Sequence, residues 1–159
     1  MFSRLITKAG LFVMVNALGT LAGCGNPPSI VGSWASTTTL AASLAADWSF
    51  TFTADSKLTL TFSTTSSATS GKGAGCVNTV SINGTYTAAE PNLTVTAQSG
   101  TSIYERCLNS AENTPPMTLS AANLAMFSTD FTGPFTVTAD ELTLATPASG
   151  VGPGVLTRK

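Results

Sequence analysis

An all-β domain built on an antiparallel, up-and-down sheet is the fold class this sequence predicts, and three observations predict it. Between Trp48 and Phe62, apolar and polar residues alternate on both sides of one short polar turn, the period-two pattern of a half-buried strand pair. The text of that turn recurs along the chain. Thr53-Ala54-Asp55-Ser56-Lys57-Leu58-Thr59-Leu60 is echoed by Thr138-Ala139-Asp140-Glu141-Leu142-Thr143-Leu144, and more loosely by Tyr86 to Val95, so three hairpins share one design. Composition is the third observation: only 9% of the residues are charged, and Ser, Thr, Ala and Gly crowd the chain. Thr is β-branched and half-polar, suited to the wet face of a sheet. A disordered chain would lack the ordered recurrence of strand-forming and aromatic residues.

Taken in order, the chain opens with Arg4 and Lys8, an apolar run from Ala9 to Ala22, and then small residues. That is the layout of a secretory signal, shorter than the ~20 apolar residues of a membrane-spanning helix. Where it ends, Leu21-Ala22-Gly23-Cys24 resembles the lipobox of bacterial lipoproteins. The resemblance implies a signal peptide over residues 1–23, acylation of Cys24 with palmitate-like chains, and export to the cell envelope. It further implies a lipid bilayer as partner, because two or three acyl chains hold a protein at a membrane durably. Gly25 stands where an Asp would favour inner-membrane retention, so the expected address is the outer membrane.

Cleavage before Cys24 takes 23 residues from 159 and leaves 136, enough for one domain with a core of its own. Loss of Arg4 and Lys8 leaves five basic and eight acidic residues, a net charge of −3. No basic patch remains for phosphate backbones, so nucleic acid is excluded as a partner. Cys76 and Cys107 form an even pair in an exported chain and read as one disulfide. The alternatives are two unpaired thiols or a zinc site, which two thiols and no His would furnish poorly.

Residues 24–29 form a tether that reaches only about 20 Å when extended. Residues 30–159 form the β domain. Its first strand is predicted over Ile30–Thr37, followed by an Ala/Leu-rich stretch, Leu40–Ala46, whose composition allows a helical turn or a strand. The hairpin around Asp55 comes next. Residues 63–75 and 109–120 lack alternation and read as loops, the first rich in Ser and Gly, the second holding Pro115 and Pro116. Val155–Lys159 closes the chain as a last strand.

Gly32-x-Trp34 at the start of the first strand, the later alternating strands and Arg158 on the last strand together resemble the lipocalin and calycin pattern. The repeated Gly84-Thr85-Tyr86 and Gly133-Pro134-Phe135 resemble small lipocalin-like domains of bacterial lipoproteins. The resemblance, covering residues 30–159, implies a closed eight-stranded barrel in which Trp34 plugs one end and Arg158 packs across its ring. It also implies that Trp48, Phe50, Phe52, Phe62 and Tyr86 line a cavity for a small apolar ligand; the alternative is that they are ordinary core. An immunoglobulin-like β-sandwich is the alternative architecture, since short strands and a Cys pair suit it too.

Catalysis finds little support. The chain has no His, the usual general base and metal ligand. Asp55 and Asp140 occupy matching turn positions, where an Asp ordinarily bonds to backbone. Asp47 has no evident second carboxylate, Glu105-Arg106 reads as an exposed ion pair, and no Gly-x-Ser-x-Gly or Ser-x-x-Lys pattern activates a hydroxyl. The expectation is therefore a non-enzymatic, membrane-anchored binding module without cofactor or metal. A structural or adhesive surface module with a filled core is the alternative.

Overall fold

The computed structural model describes residues 29–41, 44–147 and 152–159, so Cys24, the signal and most of the tether lie outside the described residues. Among the described residues, nine strands and one α-helix follow one another: β1 Gly32–Ala41, β2 Leu44–Phe52, β3 Lys57–Ser66, β4 Val77–Ala89, β5 Asn92–Glu105, β6 Thr114–Thr118, α1 Ala121–Asp130, β7 Gly133–Val137, β8 Glu141–Leu144 and β9 Val155–Arg158. Every neighbouring pair is antiparallel. Because β4 pairs with β5 and β1 with β9, the sheet closes on itself as an eight-stranded up-and-down barrel of lipocalin-like form, with β6 as an extra strand on β5. Closure gives each barrel strand a neighbour on both sides over at least part of its length.

The alternation read from the sequence sets the inner face. Ala46, Trp48, Phe50 and Phe52 on β2 and Leu58 and Leu60 on β3 are buried, and so are Val80 and Ile82 on β4 and Leu93 and Val95 on β5. Each faces its partner in register, as in Phe50↔Leu60↔Ile82. β7, β8 and β9 add Phe135, Leu142, Leu144 and Leu156 from the far side. Thr and Ser occupy the alternate positions and bond across strands, as Ser33 with Thr51 and Ser63 with Thr79.

The Ala/Leu-rich stretch, open to a helical turn or a strand, is strand at its described residues: β1 runs on to Ala41 and β2 starts at Leu44, and the Trp48 Nε1 donates to Thr38 across the pair and holds the two strands in register. Other segments differ from expectation. The segment 109–120 carries the short 3₁₀ turn Ser110–Glu112 and then β6. Pro115 and Pro116 are tolerated because β6 pairs with β5 alone and is an edge strand. Finally, α1 was not evident from alternation, yet its signals are present: Ser120 caps it, accepting from the Asn123 N–H and donating to Asn123 Oδ1, and Leu124, Phe127 and Phe131 follow at helical spacing.

The recurring turns are alike for a reason other than the acids. In the first, the Thr53 hydroxyl donates to the Lys57 carbonyl and accepts from the Lys57 N–H. In the second, Thr138 makes the same two bonds with Glu141. Thr is therefore the residue the turn requires. Asp55 instead pairs with Lys57 at 2.6 Å, and the Lys57 and Thr53 bonds hold its carboxyl below the ordinary range.

Candidate functional site: the two ends of the barrel

At one end the barrel is shut. Trp34 is fully buried, donates its indole N–H to the Ile30 carbonyl at 2.8 Å, and pairs in register with Arg158. The Arg158 guanidinium carbon lies 4.1 Å from the indole centroid, within the range of a cation–π contact. Its nitrogens donate to the carbonyls of Ser29, Val31 and Ala139, so one side chain ties the incoming chain, the final strand and the β7–β8 turn together. Gly32 makes this possible. It takes a φ of +141°, which side chains disfavour, and a Cβ there would stand 2.6 Å from Arg158 Nη1. Gly84 is likewise forced by space: opposite the bulge of β5 a Cβ would collide with the Thr96 carbonyl.

The middle of the barrel is filled with rings. Trp48 stacks on Phe62 with centroids 4.7 Å apart, and Phe52 meets Tyr86 edge-on at 4.9 Å. Phe131 sets its edge against both Phe50 and Trp48, at 5.1 and 6.0 Å. Phe127 reaches Phe62 at 5.8 Å. Phe127 and Phe131, both supplied by α1 and its C-cap, thus close the barrel over its own core. Trp48, Phe50, Phe52 and Tyr86 belong to that packed interior, and of the five residues expected at a cavity Phe62 is the one that also lines the cleft at the other end of the barrel. Tyr86 is further fixed by its hydroxyl, which donates to the Thr53 carbonyl at 2.7 Å, and burial above all raises its pKa.

α1 holds this position because it stands in for a strand. β5 pairs with β7 only at Asn92 and Leu93, which leaves the next backbone groups of β5 without a ladder partner on that side. The Thr132 hydroxyl accepts from the Val95 N–H and donates to the Val95 carbonyl; the Ser128 hydroxyl accepts from the Ala97 N–H. Two side chains supply what a neighbouring backbone would have supplied.

At the other end the barrel opens. The inward columns of β3, β4 and β5 run on past the core through Phe62, through Val80 to Asn78, and through Ser102 to Tyr104, turning from apolar to polar on the way. β6 and α1 face them across a cleft of about 490 Å³. Phe62, Val80, Leu119 and Phe127 line its depth, and the exposed Tyr104, Met117 and Met126 line it as well. This volume falls in the range of small-molecule sites.

The Cys76 and Cys107 sulfurs, 2.06 Å apart, staple the open end of the β4–β5 ribbon beside this mouth. A cross-link of this span is worth about 3–4 kcal/mol on a chain-entropy estimate. Glu112 lies against the pair and accepts from the Gly73 N–H at 2.6 Å, pinning the β3–β4 loop to the segment leading into β6. The two sulfurs and a Glu112 oxygen lie within 4.8 Å of one another. With the sulfurs joined, only the carboxylate is left to ligate.

Asp47 is exposed and accepts from the Thr37 hydroxyl at 2.7 Å. The shallow groove it borders, lined also by Trp48, Ser49, Thr61, Ser63 and Lys159, presents no second acidic side chain among the described residues. Glu105 and Arg106 approach to 3.8 Å with both side chains well exposed, and Asp140 is exposed on its turn. Comparison of the chain with protein-family models, with curated proteins and with solved structures finds no match in any of the three.

Proposed function

We propose that this chain is an envelope lipoprotein, anchored through acylated Cys24, whose barrel binds a small apolar molecule at its mouth without catalysing a reaction. The observation that carries the reading is the 490 Å³ mouth, where the inner wall of a closed barrel, rather than an outer face, is left accessible. Three of the six exposed large hydrophobic residues among the described residues, Tyr104, Met117 and Met126, gather there. Met side chains suit such a role because they repack around ligands of differing shape.

The anchor fits this geometry. Ser29 enters at the Arg158 end, and the six-residue tether reaches about 20 Å at most. An acylated Cys24 would therefore hold the shut end towards the bilayer and turn the mouth away from it. A second reading, a structural module with a filled core, is favoured by the ring-packed interior.

Native mass spectrometry of the protein taken from its own host separates the two. The binding reading expects a small-molecule adduct that is lost in Met126→Glu, which places a charge in the mouth; a wild-type protein free of adduct favours the structural module. The anchor is tested by detergent partition: wild-type protein should enter the detergent phase and Cys24→Ser should not be processed or anchored. Normal anchoring of the Ser variant overturns the lipid assignment.

A further inference from the structure

Resting on the reading of the mouth as a ligand site, we infer that it selects an uncharged amphiphile carrying an acceptor oxygen, such as an amide, ester or ketone carbonyl, over an anion of the same length. None of the twelve residues lining the cleft is charged, so an anionic head group would find no counter-ion there. Removing a carboxylate from water without a counter-ion is costly, whereas a carbonyl asks only for a hydrogen-bond donor.

Donors are what the wall retains. Two primary amides stand in it, and each has its own oxygen engaged: Asn78 Oδ1 accepts from Ser102 Oγ at 3.0 Å, and Asn123 Oδ1 accepts from Ser120 Oγ at 3.0 Å. With their acceptors occupied, the two side chains have N–H groups to offer. They come from opposite sides of the cleft, β4 and α1. A ligand lying with its apolar body on Val80, Phe62 and Phe127 would have its oxygen between them.

The test is calorimetric titration of the full chain held in lipid nanodiscs, with empty nanodiscs as reference, using decanamide and decanoate near neutral pH, where decanoate is ionised. The expected result is that decanamide binds at least about tenfold more tightly than decanoate. Asn78→Leu, close in volume, and separately Asn123→Ala, on an exposed helix position, should each weaken decanamide while leaving decanoate where it was. Equal binding of the two probes, or tighter binding of decanoate, overturns this inference and leaves the mouth standing as a ligand site. Heats no larger than those of empty discs for both probes overturn the ligand site itself.

Discussion

Arg158 shows how one residue holds a barrel shut. Its stacking on Trp34 is the part that a double-mutant cycle isolates, because Trp34→Ala alone should cost about 3–5 kcal/mol simply through loss of a buried ring. A coupling of about 0.5–2 kcal/mol between the two positions is expected from chemical denaturation of the four variants. A value of zero would mean that the carbonyl bonds to Ser29, Val31 and Ala139 are all that holds Arg158. Tyr86 gives a second residue-scale expectation. Burial raises its pKa above the ordinary 10.0, so the folded state keeps the phenol proton at a pH where the unfolded state has lost it. The stability this contributes is fully present below pH 10.0 and is lost as pH rises through the folded pKa. Thermal unfolding across alkaline pH should show the wild type falling more steeply than Tyr86→Phe. At neutral pH the variant should be less stable by about 1 kcal/mol for its lost bond to Thr53.

At the level of elements, α1 is the part of the fold that strand alternation could not convey. Its position depends on Ser128 and Thr132 meeting the Ala97 and Val95 backbone, pairings that span 31 and 37 residues and leave no local trace. Replacing Ser128 with Ala and Thr132 with Val should cost about 1 kcal/mol each. The amides of Val95 and Ala97 should then exchange with solvent faster than the rest of β5; unchanged protection would show that α1 covers β5 without bonding to it. The strands themselves were legible, since inward positions such as Trp48, Phe50 and Phe52 are set by a period of two. The Gly32-x-Trp34 and Arg158 pattern, 124 residues apart, pointed to a closed barrel, and the barrel is closed. The mouth was not legible. It is lined where apolar columns give way to Asn78 and Ser102, and by β6, whose two prolines made a strand look like a loop. The resemblance left Phe50, Phe52 and Tyr86 open to cavity lining or ordinary core, and they lie in the core; a sequence marks which side chains point inward and not how far the interior is filled.

For the whole molecule, what matters is how unevenly the barrel is joined. β1 to β5 form a meander of long strands, paired over nine residues at β2–β3 and β3–β4 and thirteen at β4–β5. β7, β8 and β9 are four or five residues long and meet that meander at two seams, of two described pairs each, at β5–β7 and β1–β9. Every joint within the meander links strands adjacent in sequence, whereas the β1–β9 seam joins positions more than 120 residues apart. Loop closure over such a distance is repaid late, after local pairing has formed. The time course of folding should carry that imprint. Leu60→Ala and Ile82→Val, within the meander, should slow folding, while Leu156→Ala on β9 should leave the folding rate almost untouched and instead hasten unfolding. Equal φ-values at all three sites would mean that the barrel forms in one step. On the expected order, the five-stranded sheet is born open, and the last event in making this protein is the arrival of Arg158 at Trp34.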